Sequence, residues 1–191
     1  MVKSYTMSYR QALEKAWNDV AAASAVKRFS VKLLSDIYDI DMERRVALSS
    51  SANAPAKDHT TIILLHYLAQ KLAFGTLPGP SGEWVDFTAL AGGEGYYPTF
   101  KKRTIDRVTA RYGRRPEELL ALVDRMPSKV SDAGETAVIV YPFVEVGIMI
   151  KVSKGDEEFG PDANILFDRS ISKIFCTEDI VVITEMVVHQ L

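Results

Sequence analysis

The chain has 191 residues, 47% hydrophobic and 25% charged, with a formal net charge of -2; that is enough length for a proper core and too little net charge for a generic nucleic-acid binder or membrane-surface protein. Its one cysteine, Cys176, excludes an intramolecular disulfide and any cluster held by several cysteines of this chain. No apolar run reaches the ~20 residues that span a bilayer and none resembles a signal peptide, so a cytoplasmic protein without membrane contact is expected.

Ser8 and Gln11 have the spacing of a capping box. Leu13, Ala16, Trp17, Val20 and Ala21 follow at the spacing of one helical stripe, which reads as core. Ile37–Ile40 and Arg45–Leu48 predict a hairpin, and 49–57 is a loop of small residues. Asp58 opens a second helix with Ile62, Leu65, Leu68, Ala69 and Leu72 inward and Gly75 as its stop. His59 and His66 on that helix are two turns apart, roughly 10 Å, too far to share one metal ion. Pro78, Gly79, Pro80 and Gly82 mark 77–82 as an internal linker.

Residues 83–90 read as a short strand or turn anchored by Trp84 and Phe87. The run Gly92-Gly93-Glu94-Gly95 has the spacing of neither the dinucleotide fingerprint nor the phosphate loop. It leads into a helix for which Pro98 suits the first position, with Phe100, Thr104, Val108 and Tyr112 along one side. On the same helix Arg103, Arg107 and Arg111 recur every four residues, Arg114 extends the row, and Lys101 and Lys102 add to it. A glycine-rich turn at a helix N-terminus can hold an anion on its free N–H groups. The plainer reading is a tight turn, with arginines that face water or pair with an acidic run later in the chain. Gly113 closes this helix, and Pro116-Glu117-Glu118 opens another with Leu119, Leu120, Leu122 and Val123 on its apolar side and Pro127 at its end.

From Thr136 the period becomes two. Ala137–Tyr141 reads as a strand covered on both faces, and Val146, Ile148, Ile150 and Val152 alternate as a half-buried one. The connection between them is too short for a crossover helix, so the pair is expected to be antiparallel. The stretch Gly155–Asp168 follows, with acids Asp156, Glu157, Glu158, Asp162 and Asp168, and 163–167 returns as a third strand. Thr177 with Glu178 and Asp179 caps a last helix, although the β-branched run Ile180–Ile183 leaves a strand open there. Helical patterns before about 126 and strand patterns after 136 predict one α+β domain over 1–191. Its helical part covers about 8–126 and its sheet-rich part about 136–191, a mainly antiparallel sheet in the C-terminal third packed on helices of the N-terminal two-thirds.

The run Gly155–Asp168 followed by Glu178-Asp179-Ile180 resembles the closing signature of the domain-of-unknown-function family 3786. Trp84, Leu90-Ala91-Gly92-Gly93 and Tyr96-Tyr97-Pro98-Thr99-Phe100 resemble its other landmarks. The chain departs from the pattern before the acidic loop, where relatives tend to carry a Trp and Val152-Ser153-Lys154 stands here. Some relatives also carry a cysteine-rich iron–sulfur domain in front. The resemblance implies a shared fold and site but no activity, and by analogy a setting in anaerobic redox or one-carbon metabolism.

Two functions are compatible with these residues. One is a binding or accessory module holding a small anionic ligand or a protein partner between the glycine-rich turn (Gly92, Gly93, Glu94, Tyr96, Tyr97, with Arg103 and Arg107) and the acidic loop (Asp156, Glu157, Glu158). The other is a small enzyme using Glu157 and Glu158 with an arginine clamp from Arg103 or Arg107. Nucleic acid is disfavoured, because no second basic patch or RNA-type aromatic signature accompanies the arginine row. No cofactor, metal ligand set or oligomeric state can be read from the residues.

Overall fold

The computed structural model describes residues 2–134, 136–156 and 158–191, with side chains from Tyr9 onward. The chain divides into two compact units, residues 1–77 and 78–191, and the division falls inside the Pro- and Gly-rich 77–82 stretch.

In the first unit, α1 (Val2–Ala23) precedes four strands, β1 (Arg28–Leu33), β2 (Asp36–Asp41), β3 (Val46–Ser49) and β4 (Ala54–Pro55), and then α2 (Asp58–Phe74). The strands pair antiparallel in chain order. α1 begins upstream of Ser8, so the Ser8–Gln11 spacing lies within the helix, and the Ser8 side chain is outside the described residues. Ala16, Trp17 and Val20 are buried as the stripe requires, and α1 packs along α2. α2 ends at Gly75, whose φ of 68° only glycine adopts freely.

The expected hairpin is present as β2–β3, and β1 and β4 extend it to a four-stranded sheet, so the mainly helical part expected over about 8–126 is less helical than its pattern suggests. β1 alternates as a half-buried strand should, with Val31 and Leu33 inward. Its turn to β2 is Leu34-Ser35, without the Asn-Gly or Asp-Gly that marks a hairpin in a sequence. Leu34 takes a left-handed φ of 54°, and its side chain, 1% exposed, holds it there by burial.

The second unit carries the candidate residues. Its elements are β5 (Trp84–Asp86), α3 (Gly93–Arg103), α4 (Ile105–Tyr112), a 3-10 helix at Pro116–Asp124, β6 (Ser128–Ser131), β7 (Ala137–Phe143), β8 (Val146–Ser153), β9 (Asp162–Asp168) and α5 (Thr177–Gln190). A short 3-10 turn follows β5 at Phe87–Ala89 and another follows β9 at Arg169–Lys173. The sheet runs β5-β9-β8-β7-β6, antiparallel throughout. Register puts Val138, Ile150 and Ile165 in one row and Val140, Ile148 and Phe167 in the next, on one face, each at most 1% exposed. α4 covers β8 and β9, α5 covers β7, and the 3-10 helix covers β6 and β7. The class is α+β, but one cover of the sheet, α5, comes from after it, and the edge strands β5 and β6 come from before residue 136.

One open alternative closes in favour of the expected helix, and two local expectations change. The last segment is helical: Ile180, Ile183, Thr184, Val187 and Val188 are buried at helical spacing, and that packing overrides β-branched propensity. The segment opened by Pro116 is a 3-10 helix, with Pro116, Leu119 and Leu122 buried at every third residue. Leu120 is only half-buried and Val123 is exposed, contrary to a four-residue apolar side. Finally, α3 starts at Gly93 and not at Pro98, which lies inside the helix. The single long helix is broken at Thr104 (φ -127°), whose hydroxyl bonds the Phe100 carbonyl at 2.7 Å. Phe100, Thr104, Val108 and Tyr112 still share one buried side across the break.

Candidate functional site

α3 begins on an aromatic cluster. The Phe87 ring stacks on Phe100 with centroids 4.0 Å apart, and Phe167 tilts against both. Gly92, in the left-handed region at φ 73°, turns the chain into the helix, and Gly93 is buried against the backbone of Phe87 and Thr88. The Thr177 hydroxyl donates to the Ala91 carbonyl at 2.6 Å, tying this turn to the start of α5, where Cys176 and not Thr177 is the N-cap. Glu94 and Gly95 are exposed, Tyr96 is 51% exposed and Tyr97 is half-buried.

The acidic loop joins β8 to β9 as a self-contained turn. The Asp156 carboxylate accepts from the N–H groups of Glu158 (2.9 Å) and Phe159 (2.8 Å), and those bonds hold its pKa below the usual carboxylate range. Gly155, at φ 79°, lets the loop fold back to within contact of Phe159, Gly160 and Pro161. Asp156 therefore shapes the turn, Glu158 is exposed, and Glu157 lies outside the described residues.

Among the described residues, the glycine-rich helix and the acidic loop approach each other through Lys101 and Asp162. Lys101 pairs with Asp106, and this bond, with smaller contributions from the fields of Tyr97 and Asp162, raises its pKa. Gly113, at an ordinary helical φ of -59°, is glycine for lack of space, since a Cβ there would stand 2.7 Å from the Pro161 ring. The arginines turn to α5. Arg103 pairs with Glu185 at 3.1 Å, Arg107 Nη1 lies 3.0 Å from His189 Nε2, and the Tyr112 hydroxyl donates to the Leu191 carbonyl at 2.7 Å. Partners advance together along both segments, so α4 and α5 lie side by side and parallel.

Along their C-terminal ends runs a cleft of about 450 Å³ lined by Arg107, Arg111, Tyr112 and His189, with Val108 and Val188 in its apolar part. Among the described residues its lining side chains include two guanidinium groups and no carboxylate, and Ala110 and Leu191 also border it. The Arg111 guanidinium lies over the Tyr112 ring, 5.4 Å from its centre. His189 Nδ1 is 2.6 Å from the Glu185 carbonyl, which only accepts, so Nδ1 carries the proton. Nε2 is then the acceptor for Arg107. Of the described charged residues that the sequence singles out, Arg107 and Arg111 of the arginine row line this cleft, beside Val108 and Tyr112 of the apolar stripe. His189 carries no signal in the sequence because its partner is 82 positions away.

Asp168, an acid–base candidate in the sequence, has a structural task. It is 1% exposed and accepts four hydrogen bonds of 2.8–2.9 Å, from the Ser81, Gly82 and Ser170 N–H groups and the Ser81 hydroxyl. Burial pushes its pKa up, but the bonds from Ser170 and Ser81 prevail and hold it at about 2.

Cys176 is exposed, and its pKa is pushed up to about 12, by burial first and then by the Asp179 and Glu178 carboxylates. Because the residue is exposed, those neighbouring acids are the lasting cause. Cys176 is expected to react with iodoacetamide at pH 8 at least roughly tenfold more slowly than free cysteine. Mass spectrometry of timed samples checks this, and labelling as fast as free cysteine would contradict the shift.

Among the described residues no three His, Cys, Asp or Glu side chains gather as metal ligands would, and no helix is long and apolar enough to cross a membrane. No curated protein and no solved structure matches the chain. The landmarks from Trp84 to Ile180 belong to a match that reaches back into the first unit: the chain belongs to the family described as Domain of unknown function (DUF3786), whose model matches residues 13–190.

Proposed function

We propose that this protein is a binding or accessory module that holds a small anionic ligand in the cleft between α4 and α5. The observation that carries the reading is the lining: Arg107 and Arg111 stand one turn apart on α4, with no acidic side chain among the described residues of the cleft. Arg103 differs, because Glu185 already neutralises it. Guanidinium groups at that spacing suit the paired oxygens of a phosphate or carboxylate, and the apolar part beside them excludes water from the contact. On the family resemblance alone, the setting would be anaerobic redox or one-carbon metabolism.

The alternative, an enzyme that uses acidic-loop carboxylates with an arginine clamp, has less support. Asp156 is committed to its own turn and Arg103 to Glu185.

Calorimetric titration with inorganic phosphate tests the proposal. Arg107→Gln and Arg111→Gln are each expected to weaken binding by roughly tenfold, and the double substitution to abolish it, since each removes a charge-assisted contact. Binding undiminished in the double variant would overturn the reading.

A further inference from the structure

We propose that the second unit has a further ligand site, on the sheet face away from α4 and α5, which takes a planar aromatic carboxylate. Lys129, Ile139 and Met149 share one row of the register across β6, β7 and β8, on the face opposite Val138 and Ile150. A cleft of about 710 Å³ lies over that row, a size that suits a small molecule. Ile139 and Met149, 7% and 2% exposed, form its apolar floor. Trp84 stands on one side of the floor, and Lys129 with Asp132 on the other. None of these residues lines the cleft between α4 and α5, so the two sites are independent.

Trp84 reaches this cleft because of a glycine. It stands on β5, an edge strand, with β9 and β8 between it and β7. Gly147 on β8 leaves a gap over the sheet, and the indole enters it. A Cβ at 147 would stand 3.3 Å from the tip of the Trp84 ring, 3.4 Å from Ile139 and 3.7 Å from the Tyr141 ring. The indole is only half-buried there. A fixed aromatic wall beside an apolar floor suits a second flat ring, since paired rings gain more than the area they bury.

Lys129 suits the acidic substituent. Its ammonium lies over the Tyr141 ring, 5.8 Å from the centre, and among the described residues it has no carboxylate partner. An ammonium held on a ring face keeps N–H donors for a ligand carboxylate. Asp132, at the rim, is exposed and pairs with neither Lys129 nor Lys151, and Glu135 lies outside the described residues.

The test titrates 2-naphthoate calorimetrically into the full chain at pH 7, with cyclohexanecarboxylate as the non-planar anion and 2-naphthamide as the neutral ring. All three are also run on the Arg107→Gln/Arg111→Gln double variant, so that the cleft between α4 and α5 does not supply the heat. In both proteins 2-naphthoate is expected to bind roughly tenfold more tightly than either control. It should shift the Trp84 indole N–H and the Met149 methyl resonances saturably and leave the indole of Trp17, buried in the first unit, unmoved. Trp84→Leu and Lys129→Gln are each expected to weaken it roughly tenfold, and Lys129→Gln to leave 2-naphthamide unchanged. Lys129 is exposed, so its variant keeps the test decisive if Trp84→Leu disturbs the fold. No 2-naphthoate binding in the double variant, or either control binding as tightly as 2-naphthoate, overturns the inference. So does an affinity undiminished by Lys129→Gln. The anion cleft stands or falls separately, on its phosphate titration.

Discussion

Gly93→Ala is expected to destabilise the second unit by about 3 kcal/mol or more, against the sign that helix propensity predicts. The residue opens α3 with an ordinary φ, so alanine should gain about 1 kcal/mol there from propensity alone. Space decides otherwise. A Cβ at 93 would overlap the Phe87 carbonyl oxygen and stand 3.0 Å from its carbon and 3.3 Å from the Thr88 Cα. Those are backbone atoms, and the Phe87 ring below them is stacked on Phe100, so relief requires moving the start of α3 off the core. Gly95→Ala, two residues on and facing open space, is the control and should be neutral or stabilising by about 0.5–1 kcal/mol. Urea unfolding of both variants checks the pair. A neutral or stabilising Gly93→Ala would mean that the approach of α3 to Phe87 is not as described.

Asp168→Ala is expected to cost about 3 kcal/mol, because it leaves the buried Ser170 N–H and the part-buried donors of Ser81 and Gly82 without an acceptor. The same carboxylate links stability to acid. Its pKa falls from 3.8 in the open chain to about 2 in the fold, so its contribution is fully present above roughly pH 4 and is lost as pH falls through 2. The shift corresponds to about 2 kcal/mol. Other carboxylates with lowered pKa, such as Asp36 and Asp86, act in the same direction, so the informative quantity is a difference. Asp168→Asn should lose less stability on going from pH 5 to pH 2 than the wild type does, by about that 2 kcal/mol. Parallel acid-unfolding curves for the two proteins would sink the assignment.

Where the sequence is readable, the deciding contacts are close in the chain. β7, β8 and β9 follow one another by short loops and alternate in pattern, so their antiparallel pairing follows from the residue pattern alone. The Phe100–Tyr112 stripe survives a broken helix because its four positions stay four apart. The first sheet is only half visible, since the Leu34 turn depends on burial of Leu34 and not on turn chemistry. Pro98 misleads because it sits at the sixth position of α3, past the first turn where a proline loses no helical hydrogen bond, and only the fit of Gly93 against Phe87 shows where α3 starts. The site is the least legible part. The arginine row and the acids of 156–158 look like natural partners in a near-neutral chain, yet the row is met by Glu185 and His189, each 82 residues beyond its arginine. The period that reveals the helix bearing them emerges only over the whole of Ile180–Val188.

The most direct test of the anion cleft is a sulfate titration of ¹⁵N-labelled protein followed residue by residue. The account predicts saturable shifts at the Arg107 and Arg111 guanidinium groups, at the His189 ring and at the amides around Val188. Saturable shifts confined to 92–97 and 155–168, with Arg107, Arg111 and His189 unmoved, would contradict it and place the ligand between the glycine-rich turn and the acidic loop.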